Sequence, residues 1–243
     1  MLLKIALPTL LPYHLLPPSP WPVLVSASVL PLAVALVASI NGFSSPLLLS
    51  FLSVGLYTYL WLRDVLRESL YEGSHGSLPL LSIKYGMLLF IASEAALFSS
   101  LFWAFLNTSL TGSLATGFIT PPLGLVPPSP WALPLLNTLL LLTSGATLTV
   151  CHNALLSGRA PISMYLLSLT LLLALLFTGI QGYEYTQAAF CYTDSAYGCS
   201  FYSLTGLHGL HVLLGTLYLL SSLTRLFSST YTSHKHVQFE LAA

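Results

Sequence analysis

The sequence predicts an all-α protein: a polytopic membrane helical bundle with six transmembrane helices in a single membrane domain, 1–243. Three observations carry that prediction. Hydrophobic residues make up 55% of the 243 and Asp, Glu, Lys and Arg only 6%, where a soluble domain carries roughly a quarter charged residues. Apolar stretches long enough for a helix to cross the ~30 Å hydrocarbon core recur along the chain. Drawing six crossings also places all seven Lys and Arg on one side of the membrane, as the positive-inside rule requires.

The crossings are expected near 21–41, 45–62, 84–107, 132–156, 162–183 and 201–227. Upstream of them, MLLKIALPTLLPYHLLPPSPWP has one Lys and several prolines. It lacks the Arg-rich amphipathic pattern of an import presequence, and its prolines interrupt a secretory core. The chain is therefore expected to be made where it inserts, or to have lost a presequence. Pro31 should kink the first helix, whereas Pro46, opening the second, falls where a proline is harmless. In the third, Ala92, Ala96 and Ser100 recur every four residues. The fourth carries TSGAT at 143–147, and the sixth has Gly206, Gly209 and Gly215. Such small residues let helix backbones approach closely. The 116–130 loop is rich in Pro and Gly, and Trp131 follows it. With Trp21, Trp61 and Trp103 near other span ends, it makes an interfacial aromatic belt.

The charges test the helix count. One side receives Lys4, Arg63, Arg67, Lys84, Arg159, Arg225 and Lys235, and the other receives no Lys or Arg. Both termini are then expected in the cytoplasm or matrix. The net charge is zero, so there is no basic surface to neutralise phosphates and nucleic acid is excluded as a partner.

Three clusters could carry chemistry. Glu94 lies ten residues beyond Lys84, hence ~15 Å into the membrane. A charge there costs ~3 kcal/mol or more. One reading is a neutral carboxyl hydrogen-bonded to a Ser or a backbone carbonyl; the other is a proton-active or lipid-facing acid. In TGLHGLHVLLG, His208 and His211 are three apart on a helix and could share a metal. An HxxH pair needs further ligands, however, and no matching set appears on the other spans. Histidines satisfied inside the bundle are the alternative. The third cluster is RDVLRESLYEGSHG at 63–76, joined on the same side by Arg225, Lys235 and His236. Arg63 with Arg67, and Asp64 with Glu68, repeat at i,i+4. Either a solvated helix end or phospholipid headgroup recognition accounts for them. The chain shows no nucleotide loop, catalytic triad, zinc-protease motif or redox ligand set. It reads as a subunit with no catalytic, cofactor-binding or metal residues of its own.

PYHLLPPSPWP, WLRDVLRES, KYGMLLFIASEAALFSSLFWAF, PLLNTLLLLTSGATLT, QGYEY, YGCSFYSLTGLHGLHVLLG and HVQFELAA occur in that order. Together they resemble cytochrome c oxidase subunit III over essentially the whole chain. The resemblance implies a subunit without haem or copper, packed beside the catalytic subunit of complex IV, where haem a and copper reside in partner chains. It implies that the first two helices splay from the rest around a cleft holding phospholipids. It also implies support of proton uptake and protection of the catalytic subunit during turnover. Glu94 matches the family's membrane-buried, carbodiimide-reactive glutamate. Arg63, Arg67, His75, Lys84 and Arg225 match lipid-facing positions, which makes headgroup binding the preferred reading of that cluster, with Trp61, Glu94 and His236 among the expected lipid contacts. The expected location is the mitochondrial inner membrane with the N-terminus in the matrix, or the plasma membrane of a bacterium.

The chain departs from the family's pattern in four places. Leu62 stands where the family has a second tryptophan before Arg-Asp, and Ser228 where it often has a Lys. The family continues into a seventh helix, whereas this chain stops at Ala243. A separate polypeptide or another subunit is expected in that place. Cys191 and Cys199 lie in the fifth-to-sixth loop, on the side without positive charge. If that side is the intermembrane space or periplasm it permits disulfides, so a bridge and two unpaired thiols are both open. Two other functions compete: subunit III of a quinol oxidase, and a small transporter using Glu94 as a proton carrier. Against the transporter, no inverted repeat and no broken helix pair appear.

Overall fold

A run of apolar residues satisfies its backbone in lipid only by closing into helices, and seven helices account for the secondary structure of the described residues. They are α1 (Trp21–Ile40), α2 (Leu47–Leu70), α3 (Ser77–Leu110), α4 (Leu133–Leu156), α5 (Ala160–Gln187), α6 (Ala196–Phe227) and α7 (Val237–Ala242). The computed structural model describes residues 16–44, 46–73, 75–111, 119–232 and 236–243. Lys4, Lys235, most of the PYHLL motif and the start of the 116–130 loop lie outside them. Five helices, α1, α3, α4, α5 and α6, are long and apolar enough to cross a membrane. The remaining expected span is α2. Its 24 residues would reach ~36 Å, but its last two turns carry Arg63, Asp64, Arg67 and Glu68, so it falls short of the other five in apolarity. Most helices outrun the expected spans at one or both ends. Backbone hydrogen bonding continues past the apolar segment wherever no breaker intervenes.

The chain divides into two compact units, 1–88 and 89–243. In the first, α1 and α2 pack on each other. Trp21, at the start of α1, donates from Nε1 to Asp64 Oδ2 at 2.6 Å near the end of α2, so the two helices run antiparallel. The turn between them contains Gly42 at φ 78°, a conformation glycine adopts without steric cost. The residues buried here are small: Ser28, Ala35 and Ser50 are 6%, 4% and 6% exposed. The Ser28 and Ser50 hydroxyls bond back to Val25 and Pro46 carbonyls, so both buried hydroxyls are paired. Pro31 lies inside α1, which continues to Ile40.

In the second unit α4 and α5 form an antiparallel hairpin about Gly158. Lipid tails are as apolar as Leu, so no hydrophobic drive joins helices inside a bilayer; close packing and hydrogen bonds do so. Both are present. The Thr147 and Thr170 hydroxyls meet at 2.8 Å, and the Cys151 thiol sits 3.2 Å from Ser163 Oγ with no solvent exposure. Cys151 thus finds a partner across the hairpin. The core gathers Cys151 and Leu155 of α4, Leu167 and Leu171 of α5, Leu219, Leu223 and Leu226 of α6, and Phe239 of α7. The 188–195 loop is held by aromatic packing of Phe190 on Tyr197, Phe201 and Tyr202. The Tyr202 hydroxyl also donates to the Phe190 carbonyl at 2.8 Å.

Candidate functional site

Helix α3 contributes no buried residue to the fold; Ala92, Ala96 and Ser100 all lie exposed along it. Its one acid is nonetheless partnered. His211 Nε2 of α6 lies 2.8 Å from Glu94 Oε2, and His211 Nδ1 lies 2.8 Å from the Leu207 carbonyl oxygen. The Phe98 ring meets the imidazole edge-on, with centroids 5.2 Å apart. A carbonyl only accepts, so Nδ1 carries a proton. Nε2 is then left with two arrangements. It accepts from a protonated Glu94, or the imidazolium donates to the carboxylate. Glu94 and His211 together carry zero net charge in both, and the two differ only in which partner holds the proton. A pair of zero net charge is less costly at this depth than a lone carboxylate. The side chains are 27% and 31% exposed, so the pair is reachable from the surface of the chain.

This arrangement joins two clusters the sequence leaves separate. Glu94 is paired with a histidine, in place of the Ser or backbone carbonyl expected for a neutral carboxyl. His208 and His211 do not share a metal site: both nitrogens of His211 are engaged, and the His208 ring stands edge-on to Phe177 at 5.9 Å. Among the described residues no three His, Cys, Asp or Glu side chains come close enough to hold a metal ion. One signal of the pairing was available in the sequence. His211 precedes Arg225 by fourteen residues, which puts it ~21 Å from the side where Glu94 lies ~15 Å deep.

The third cluster resolves into separate groups. In the 1–88 unit, Arg63 donates from Nε and Nη2 to Asp64 Oδ1 at 3.1 and 2.9 Å, while Trp21 takes the other carboxylate oxygen. The Trp21 indole N–H, then Arg63, hold the Asp64 carboxyl below the usual range. Trp61, Arg67 and Lys84 are exposed and His75 is half-buried. Trp21 and Asp64, which the sequence does not single out as a pair, thus tie the start of α1 to the end of α2.

Arg225 belongs to the 89–243 unit. It donates to Gln238 Oε1 and, at 3.3 Å, to Thr230 Oγ1, with its guanidinium carbon 4.5 Å over the Tyr231 ring. Its planar head is committed to fastening α7. His236, expected as a lipid contact, is 4% exposed within the chain. Its ring packs against His152 at 5.5 Å, and Nδ1 bonds to the Thr232 carbonyl at 3.1 Å. Nε2, 3.5 Å from Glu240, makes no hydrogen bond. The reason is α7: it folds Phe239 into the core and carries His236 under cover. Cys191 and Cys199 are unbridged thiols, the first exposed and the second half-buried.

A family model described as "Cytochrome c oxidase subunit III" matches residues 11–243. The chain is 46% identical to cytochrome c oxidase subunit 3 of Triticum aestivum over 236 residues, 95% of this chain and 88% of that one. The counterpart in Arabidopsis thaliana gives 46% with the same coverage. In the fungus Allomyces macrogynus the identity is 45% over 234 residues, 95% of this chain and 85% of the relative. The match spans both units, α1 to α7, and includes Glu94 and His211 of the paired site: the chain is an integral membrane protein of the cytochrome c oxidase subunit III family.

Proposed function

We propose that this protein is a non-catalytic core subunit of cytochrome c oxidase, respiratory complex IV, in an inner mitochondrial membrane. The observation that carries the proposal is the match to relatives named cytochrome c oxidase subunit 3 along 95% of the chain. Electron transport to oxygen and proton pumping take place on haem a and copper in partner subunits. This chain supports them by stabilising the catalytic subunit and keeping phospholipid in place beside it. The large apolar side chains left uncovered along α3 (Leu88, Leu89, Phe102 and Trp103, 52–70% exposed) support that role, because in a bilayer they meet lipid or neighbouring helices.

For lipid, the supporting feature is the charged end of the 1–88 unit. Arg67 and Lys84 stand exposed, and Arg63 is half-buried beside Asp64. Cations at that level attract anionic headgroups at about 1 kcal/mol each. The asymmetry of Lys and Arg supports an N-terminus in the matrix. In this reading the partners are the catalytic and other complex IV subunits and phospholipids. Relatives named for cytochrome c, rather than quinol, favour the cytochrome c type.

Purification of the native complex tests the proposal. The chain should co-migrate with haem a absorbance in a large assembly that oxidises reduced cytochrome c. A chain that separates from haem a, or an assembly that oxidises only quinol, would overturn it. In the same preparation, Arg67→Ala with Lys84→Ala should lower bound anionic phospholipid severalfold while haem a content is kept.

A further inference from the structure

Between α4, α5 and α6 lies a second polar feature, separate from Glu94 and His211. It is an open cleft of about 360 Å³ whose lining includes Asn137, Thr138, Gln181, Glu184, Thr205 and His208. Two of these side chains are deeply buried: Asn137 is 4% exposed and Glu184 9%. Both the Oδ1 and Nδ2 atoms of Asn137 are fully covered and have no hydrogen-bond partner in the chain. Leaving a buried amide unpaired is costly, and orphans of this kind in native proteins call for an explanation such as bound water or an ion. Thr138 and Thr205 do not supply the missing bonds. The first hydroxyl donates to the Pro134 carbonyl; the second donates to the Phe201 carbonyl and accepts from Tyr185.

We propose that this cleft is a hydrated proton-exchange site, in which water bound by the Asn137 amide connects Glu184 and His208 to the aqueous phase. Volume and chemistry both suit water. A water needs roughly 10–15 Å³ of accessible space and two to four polar partners; the cleft has room for several, and the covered Asn137 amide in its wall has a donor and an acceptor that a small side-chain shift would turn to them. The position suits exchange. Glu184 is three residues from the end of α5, and Asn137 is in the first turns of α4, preceded by Pro128 and Pro130 of the incoming loop. The lining also takes in His208, two turns beyond Phe201 on α6. The titratable groups facing Glu184 are His208 and Tyr197 of α6. Among the described residues, helix α4 and the proline loop contribute none, and no Lys or Arg lines the cleft. With no Lys or Arg among the described residues beside it, the acid has its proton equilibrium with the water.

Two measurements on the intact complex decide the matter. A high-resolution structure should show ordered water within hydrogen-bond distance of both Asn137 amide atoms, continuing to Glu184. A lipid headgroup, or a side chain of another polypeptide on Asn137, would overturn the proposal. In infrared difference spectra, a carboxyl band that disappears in Glu184→Gln should titrate with bulk pH and respond to D₂O within the mixing time. Asn137→Leu, which removes the water's partners but keeps the acid, should slow that response at least tenfold. If Glu184→Gln fails to assemble, the band is assigned through the Asn137→Leu effect on the unaltered acid. A carboxyl response as slow as the core amides, or one indifferent to Asn137→Leu, would refute exchange through the cleft.

Discussion

Glu94 Oε2 of α3 and His211 Nε2 of α6 meet at 2.8 Å, and the Leu207 carbonyl, 2.8 Å from Nδ1, fixes the tautomer from the far side of the imidazole. The bond is an anchor as well as a charge balance, since α3 contributes no buried residue to this chain's core. A helix that buries nothing is held by the few polar contacts it makes, together with whatever covers its apolar faces in the assembly.

Substitutions at the pair should therefore rank by what they strand. Glu94→Gln keeps a donor for His211 Nε2 and should leave assembly and haem a content unchanged. Glu94→Ala leaves a neutral imidazole nitrogen unpaired, a loss of about 1–3 kcal/mol, and should still assemble. His211→Leu strands a carboxyl in mid-membrane, at ~3 kcal/mol or more, and should be the most damaging of the three. The double variant Glu94→Ala with His211→Leu should be less damaging than His211→Leu alone, because no orphan remains. Denaturation midpoints of the four complexes, followed by haem a absorbance, check the order; simple additivity would refute coupling between the two residues.

Asp64 offers a prediction in pH. Its folded-state carboxyl sits below the ordinary value because Trp21 Nε1–H and Arg63 bond to the ionised form. The sign follows directly. A depressed acid contributes stability above its unfolded pKa of about 3.9, and that contribution fades as the pH falls through the folded value. Acidification below about pH 4 should therefore release the Trp21 indole while neutral conditions hold it. Tryptophan emission, read as the difference between wild type and Trp21→Phe, should shift to the red in that window. In Asp64→Asn the shift should be absent.

How far the sequence reached depends on the kind of information each feature needs. The helices were legible because length and apolarity alone set them in a bilayer, and the alternation of charged and apolar segments marks where they cross. Glu94 stood out for the same reason, as a charge where hydrocarbon is expected. Its partner did not, because which face of α6 meets α3 is a property of three-dimensional packing, and neighbouring His208 has the same chemistry. Asn137 and Glu184 were missed as a site because each is unremarkable near a span end; only their burial together on one cleft sets them apart. The burial of His236 was not legible because a six-residue helix, α7, gives no periodicity from which to infer that it folds back. The Arg63–Asp64 contact is local and readable, whereas the Trp21 bond spans 43 residues and required the α1–α2 hairpin to be known.

The cysteines should separate by accessibility. Cys191 is exposed, Cys199 half-buried and Cys151 buried, so an impermeant alkylating reagent applied to the unreduced complex should label Cys191 first and Cys199 more slowly. Cys151, inside the hairpin against Ser163, should react only on unfolding, since burial of this kind makes a thiol inert. Peptide mass spectrometry reads all three at once. Recovery of 191 and 199 as one linked, unlabelled pair would show that the oxidised protein bridges them.

The loop that carries Cys191 also explains one glycine. Asp194 Oδ2 accepts from the Cys191 amide at 2.6 Å, and Ser195 caps α6 by accepting from the Gly198 amide at 3.2 Å. These bonds press the loop onto the first turn of α6, and a Cβ at Gly198 would lie 2.5 Å from the Cys191 carbonyl oxygen. The obstacle is backbone, which cannot swing aside as a side chain tip would. Gly198→Ala should therefore destabilise the protein by about 1–3 kcal/mol, the usual cost of overpacking, and loosen the 188–195 loop. Gly206→Ala, two turns further along the same helix with nothing within 4 Å of its Cβ, is the control. It should be neutral or slightly stabilising, since alanine is the better helix former by about 1 kcal/mol. Thermal midpoints and the rate of Cys191 alkylation in the two variants provide the test. Equal midpoints would mean that the loop does not rest on the helix as described.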